Sequence, residues 1–177
     1  NVYSLRFEGK NNNQPGLIFS DLFDVSNVRN FTHCFKGMKG MRDDANIGRW
    51  DISSGKNLKG MFRDCPNIHF WENGLSQQTV NGQGMRGLTN CDISNWNTAN
   101  ATDMKYMFMD NTHIGKNSLA VRKYTPAWRW NTSNVTDMTA MFQRHQGKWL
   151  HDIGSWDVSN VKYFGWMFEA CLWPSNA

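Results

Sequence analysis

Five segments of the chain align without a gap, and this repeat constrains the fold more than any other feature. They are residues 23–35 (FDVSNVRNFTHCF), 50–62 (WDISSGKNLKGMF), 96–108 (WNTANATDMKYMF), 130–142 (WNTSNVTDMTAMF) and 156–168 (WDVSNVKYFGWMF). Their starts are spaced by 27, 46, 34 and 26 residues, so the unit is about 26 residues long and two connections carry extra chain. A unit this short cannot enclose an apolar core of its own. The units must stack, and each apolar column of the alignment becomes a line of contacts from layer to layer.

The content of large, soft side chains, 9 Trp, 11 Phe and 10 Met, takes its meaning from this frame. Four Trp head units, five Phe close them, and Met61, Met104, Met107, Met138, Met141 and Met167 fall between. These are core positions.

Within a unit the period of the pattern changes. The head alternates apolar, polar, apolar (Trp156, Asp157, Val158), which predicts a short strand, and Ile47, Ile93 and Ile153 three residues ahead extend it to an I-x-x-W-x-[VIT] frame. Val135, Met138, Met141 and Phe142 then lie at i, i+3, i+6 and i+7, which predicts a two-turn helix. Asn27, Asn100, Asn134 and Asn160 suit its N-cap, and Asp103 and Asp137 its first turn. The expected fold is an α/β repeat, a leucine-rich-repeat-like solenoid with one short parallel strand and one short helix per unit. It comprises residues 23–177 as five units starting at 23, 50, 96, 130 and 156, with insertions in 66–90 and 112–128; residues 1–22 form an N-terminal cap or the remnant of a preceding repeat.

The string W-[DN]-x-S-N-V-T-D-M-x-x-M-F, most complete at Trp130 to Phe142, resembles the BspA-type leucine-rich repeat family. The D-I-x-x-W connections at Asp92 to Trp96 and Asp152 to Trp156 are similar to that family's, as is M-F-x-x-C at Met61 to Cys65 and Met167 to Cys171. The resemblance covers residues 23 to about 173. It departs at Phe23 in place of Trp, at Gly55 in place of Val, and at the two insertions. The family's repeats occur in bacterial surface proteins and lipoproteins, and in protist and viral surface proteins. The resemblance therefore implies a surface-displayed scaffold, extracellular or on a cell or virion surface, that binds protein or glycan in the manner of an adhesin; the alternative is a structural component of a virion, fibre or surface layer.

Composition excludes several other classes. Net charge is +4, but the basic residues are scattered and Arg122-Lys123 is the densest stretch, so nucleic acid is not expected as a partner. No apolar run is long enough for a membrane span. The start, Asn1-Val2-Tyr3-Ser4, has no initiator Met, basic region or apolar region, and reads as a mature or fragmentary product. Cys34, Cys65, Cys91 and Cys171 form no CxxC pair. Cys34 aligns with core Met positions; a Cys65–Cys91 bridge is geometrically conceivable. The five histidines fall in unequal contexts and there is no H-E-x-x-H, G-x-S-x-G or P-loop, so neither catalytic residues nor a cofactor is expected.

Two sets of residues are candidates for binding. Asp24, Asp51, Asn97, Asn131 and Asp157 follow the head aromatics and form an outward Asx row along the expected sheet. Their oxygens could hydrogen-bond a sugar or hold a cation, although no metal is assigned there; the row also reads as a solvated polar ladder. Trp71, Tyr124, Trp128, Trp149 and Trp173 lie outside the repeat frame, where aromatic residues serve as contact anchors or as lids over the scaffold's edge. Four N-x-[ST] sequons, at Asn30, Asn100, Asn131 and Asn134, largely coincide with the repeat consensus.

Overall fold

The computed structural model describes residues 4–7, 19, 22–38, 47–65, 79–80, 83–84, 93, 95–111, 129–145 and 153–171. Neither the strand nor the helix expected in each unit forms. The described residues contain no α-helix, a single 3-10 turn at Ile47–Arg49, and one small antiparallel hairpin, β1 (Thr79–Val80) with β2 (Gln83–Gly84), which lies inside the first insertion. The α/β architecture is thus incorrect. Each unit is instead a coil of consecutive turns, and the coils stack through isolated parallel bridges.

Counting the head aromatic as position 1, the turns recur at the same places. The amide of position 6 donates to the carbonyl of position 3 in all five units, from Val28 to Val25 (2.9 Å) through Val161 to Val158 (3.0 Å). Position 12 donates to position 9 likewise, from Cys34 to Phe31 (3.0 Å) through Met167 to Phe164 (3.1 Å), and position 14 to position 11. Position 11 (His33, Gly60, Tyr106, Ala140, Trp166) and position 15 (Gly37, Asp64, Asp110, Arg144, Ala170) have φ between 51° and 74°. A positive φ at the third residue of a four-residue turn is what a type II geometry requires, and it ends any helix. The apolar stripe read as helical is buried, with Met138, Met141 and Val135 inaccessible and Phe142 nearly so, but the backbone beneath it is turned rather than helical. An i, i+3 repeat of inward side chains satisfies either path.

The remaining amides hold the layers together. Odd positions 9, 11, 13 and 15 donate to the carbonyls of positions 8, 10, 12 and 14 of the next unit, as Met104 to Asp137 (2.9 Å), Tyr106 to Thr139 (2.9 Å), Phe108 to Met141 (2.8 Å) and Asp110 to Gln143 (2.9 Å). The parallel bridges run Ser4, Asn30, Asn57, Asp103, Asp137, Tyr163, all but the first at position 8. Bridges stay isolated because the left-handed residues on one side and the turn at position 6 on the other curl the chain away. Both insertions are absorbed without loss of register, since Asn57 bridges Asp103 and Asp103 bridges Asp137.

Aromatic rings fill the interior. Phe7, Phe35, Phe62, Phe108, Phe142 and Phe168 form one stacked column, successive centroids 5.4 to 5.7 Å apart and planes within 12°. The head positions form a second, in which Trp130 lies 6.5 Å from Trp96 and 5.8 Å from Trp156. The Ile of I-x-x-W serves as an anchor through its backbone: Ile93 accepts the Trp96 amide (3.1 Å) and the indole N–H of Trp130 in the next layer (2.8 Å). Ile47 does the same for Trp50 and Trp96.

Asn and Thr supply polar staples instead of helix caps. Asn100, Asn134 and Asn160 donate side-chain N–H to the carbonyls of Ser53 (2.7 Å), Ala99 (2.8 Å) and Ser133 (2.7 Å) in the preceding layer. Asp103 and Asp137, expected in a helix's first turn, sit in the bridge column, where each Oδ1 accepts the amide two residues on (2.9 and 2.8 Å), as Asn30 and Asn57 do. Burial raises the Asp103 pKa above 3.8, reinforced by the Asp137 charge in the adjacent layer. The folded state therefore holds this proton more tightly than the unfolded chain, and stability falls as pH rises through the folded pKa. Asp103→Asn keeps the accepted bond and removes the charge. It should raise the melting temperature at pH 7 by the equivalent of about 0.5 kcal/mol, the scale of a like-charge cross-strand pair. Thermal melts should show the gain vanishing below about pH 3.8.

Candidate functional site

The predicted Asx row is found on the surface, but no sheet lies beneath it. Asp24, Asp51, Asn97, Asn131 and Asp157 are exposed, and the Oδ1 of each accepts the backbone amide two residues on, at 2.8 to 3.1 Å. These are Asx turns that lead the chain from the head aromatic into the first turn of the unit. The bonds from Ser26 and Ser159 lower the pKa values of Asp24 and Asp157, so both stay ionised. Among the described residues no group of three or more His, Cys, Asp or Glu could hold a metal. Trp71, Tyr124, Trp128, Trp149 and Trp173, like Cys91, lie outside the described residues.

The buried titratable groups are structural. The thiols of Cys65 and Cys171 donate to the carbonyls of Phe35 (2.8 Å) and Phe142 (2.9 Å), each a closing Phe of the layer before. Cys65 is a free thiol, and burial pushes it up to about 12. His145 takes the same repeat position and bonds the Phe108 backbone; burial pushes its pKa down to about 4, so it is neutral at physiological pH. Burial likewise raises Cys34. Cys34, Cys65 and His145 lack the exposure a nucleophile needs, and the half-buried Cys171 thiol is engaged with the Phe142 carbonyl.

The face that varies from unit to unit is formed by positions 10, 11, 14 and 15. Position 11 carries the two largest side chains of this face, Tyr106 and Trp166. Tyr106 is half-buried there and Trp166 is 65% exposed. With Arg63, Met109, Gln143 and Glu169 they line an open cleft of about 470 Å³ that crosses four layers. The cleft has an apolar floor at Met109, a bare indole at one end, and both signs of charge on its rim. The guanidinium of Arg63 and the ammonium of Lys105 lie 5.4 and 5.0 Å from the centroid of Tyr106, within cation–π range. Beside the cleft, Arg144 grips Asp110 with two parallel bonds, one of 2.9 Å, and Gln143 donates to Glu169. Asp64 borders the same group; burial raises its pKa, with the Asp110 charge adding to the effect.

Such an arrangement can hold a flat apolar or sugar-like surface against the indole while Arg63, Gln143 and Glu169 hydrogen-bond its rim. It contains no nucleophile beside a base. The repeat frame gives roles to the head aromatics, the closing Phe and six Met, and leaves Tyr106 and Trp166 without one. The available signal was variation: position 11 reads His, Gly, Tyr, Ala, Trp, whereas positions 12 and 13 read Met or Cys and then Phe.

No helix among the described residues is long and apolar enough to cross a membrane. A family model described as "Mycoplasma protein of unknown function, DUF285" matches residues 5–122 and, overlapping them, residues 90–173. No curated protein and no solved structure matches the chain.

Proposed function

Since the chain belongs to the DUF285 family, whose description assigns no activity, we propose from its site that it is a non-enzymatic, surface-displayed repeat scaffold that binds protein or glycan, and that the Trp166 cleft is where it does so. The observation that carries this reading is a large indole left 65% exposed in a cleft otherwise ringed by hydrogen-bonding side chains. A rigid stack held by layer-to-layer backbone bonds supplies a fixed frame on which the side chains of one face vary freely. The likeness of Trp130 to Phe142 to BspA-type repeats supports display outside the cell.

The test is a screen of an arrayed glycan panel and a panel of extracellular-matrix proteins with the intact chain and its Trp166→Ala variant. Truncating an anchor of this kind costs about 2 kcal/mol of binding, so affinity for the retained probe should fall roughly thirtyfold. The melting temperature should stay within about 2 °C, because the side chain is mostly in solvent. Equal binding by both proteins, or binding by neither, would overturn the assignment of the cleft.

A further inference from the structure

Basic residues that are far apart in the sequence meet on one side of the stack. Positions 10 and 14 of units 1 to 3 supply Lys36, Lys59, Arg63 and Lys105. Among them lies the His33 ring, which covers Gly60 so closely that a Cβ added there would collide with it. Burial lowers the His33 pKa, and the charges of Lys36, Arg6, Arg63 and Lys59 lower it further, so the ring is chiefly neutral at pH 7. This gathering of like charge is only partly offset. Arg63 lies 3.6 Å from Asp64 and Lys105 lies 3.9 Å from Asp137, while Asp110 is held by Arg144. Lys36 and Lys59 form no ion pair among the described residues. A second, independent observation concerns hydrogen bonds: His33 Nε2 and Arg63 Nε are both sealed within the protein, with no hydrogen-bond partner among the described residues. Buried polar atoms left unsatisfied are costly, and so are like charges left uncompensated; a bound anion relieves both.

We propose that this cationic stretch, on the varying face of units 1 to 3, binds an anionic polysaccharide lying along the stack. The proposal deepens the scaffold reading, on which it rests for display where such a chain is met, and it does not use Trp166. The form of the ligand follows from the layering. Successive layers are about 4.8 Å apart, so cations in three layers make a row of roughly 10 Å. A single phosphate or sulfate ion covers one layer of that row, whereas a chain with anionic groups repeated along its length matches all three. Single-stranded nucleic acid is also a chain of this kind, but it draws on aromatic rings as stacking platforms. The Tyr106 ring in this row already has Arg63 and Lys105 over it, at 5.4 and 5.0 Å from its centroid. Lys36, Lys59, Arg63 and Lys105 are all half-buried, which suits a slender chain seated among them better than the flat plane of a membrane.

The experiment is surface plasmon resonance of the intact chain over immobilised heparin across a series of salt concentrations, with dextran, oligothymidine and vesicles of anionic phospholipid as competitors. Heparin should bind with an affinity that falls as salt rises, and dextran, which carries no charge, should not compete. The Lys36→Gln, Lys59→Gln double variant should bind heparin roughly tenfold or more weakly, the loss expected of a charge-assisted contact. Its log–log salt slope should flatten by roughly one for each charge removed. Its melting temperature should not fall, since the change relieves repulsion. Trp166→Ala should bind heparin as the unaltered chain does. Carbon NMR of the His33 ring supplies a local readout: heparin should raise its pKa, because an anion stabilises the imidazolium. No binding at low salt overturns the proposal, as does a His33 titration that heparin leaves unmoved. Tighter binding of oligothymidine or the vesicles than of heparin overturns the assignment to a polysaccharide. Heparin binding lost in Trp166→Ala but kept in the double lysine variant would overturn this site and leave the cleft reading standing.

Discussion

Trp130→Ala should lower the melting temperature by roughly 10 °C. The indole is 4% exposed and lies between Trp96 and Trp156, with the Phe108 ring 6.1 Å away. Removing a buried aromatic of this size costs about 3 to 5 kcal/mol, and a chain of this length shifts by about 2 to 4 °C per kcal/mol. One hydrogen bond goes with it, because the indole N–H donates to Ile93 at 2.8 Å. That carbonyl keeps the Trp96 amide, so no buried acceptor is orphaned and the loss is chiefly one of packing. Each layer touches only its neighbours, so the damage should be graded along the stack. Amide exchange should accelerate most in units 4 and 5 and least near Phe31 and Leu58. An unchanged melting temperature, or exchange accelerating equally in all five units, would falsify the stacked-column account of the core.

The period, the core columns and the need to stack were legible because they depend only on which positions recur as apolar. The backbone path was not, because the helical and turned readings share their evidence. Val135, Met138, Met141 and Phe142 point inward at the same spacing in both. An Asx residue at the start of a segment accepts a nearby amide whether it caps a helix, as Asn134 and Asp137 were expected to help do, or closes an Asx turn, as Asp137 and Asp157 do. What separates the two is tolerance of positive φ. Gly37, Gly60, Asp64 and Asp110 advertise it, but Tyr106, Ala140, Arg144, Trp166 and Ala170 adopt the same conformation without any propensity for it. Pairing with the adjacent layers accompanies it: these positions in units 1 to 4 donate their amides forward, and in unit 5 the carbonyls of Gly165 and Glu169, just ahead of Trp166 and Ala170, accept from Ala140 and Arg144 of the layer before. Layer-to-layer pairing has here overridden local preference, at about 1 kcal/mol or more for each non-glycine residue.

The cleft was obscured for a related reason. A frame that recurs five times invites one role for each residue type, yet Trp130 and Trp166 in this frame do opposite things. Trp130 begins a unit and is sealed between layers; Trp166 stands at position 11, in the turn before the closing Phe, and is 65% exposed. The discriminating fact is position within the unit. Columns that stay apolar through the units, such as positions 6, 9, 12 and 13, form the interior, whereas position 11 mixes His, Gly, Tyr, Ala and Trp.

The departure at Gly55 gives the second large effect, and its cause is a neighbour in the layer before. Position 6 of this unit faces position 9 of the unit before, where a Phe31 ring stands opposite Gly55; the following units hold Leu58, Met104 and Met138 at position 9 and Ala101, Val135 and Val161 at position 6 of the unit after. A Cβ on Gly55 would lie 3.1 Å from the Phe31 ring and 2.9 Å from the Ile52 carbonyl oxygen. The turn there is drawn tight as well, since the Gly55 amide reaches that oxygen at 2.7 Å, the shortest of the five equivalent bonds. Gly55→Val, which restores the residue most common at this position, should therefore destabilise the chain by about 3 kcal/mol through overpacking. The corresponding fall in melting temperature is roughly 6 to 12 °C. Phe31→Met alone should also destabilise, by leaving a void at a site with no exposure. Together the two changes reproduce the Met104 and Val135 found at these positions two layers on, and the double variant should be more stable than Gly55→Val. A favourable coupling of about 1 kcal/mol or more is expected for two side chains that share one volume. Strict additivity in a double-mutant melting cycle would mean that Gly55 answers to its own turn and not to Phe31.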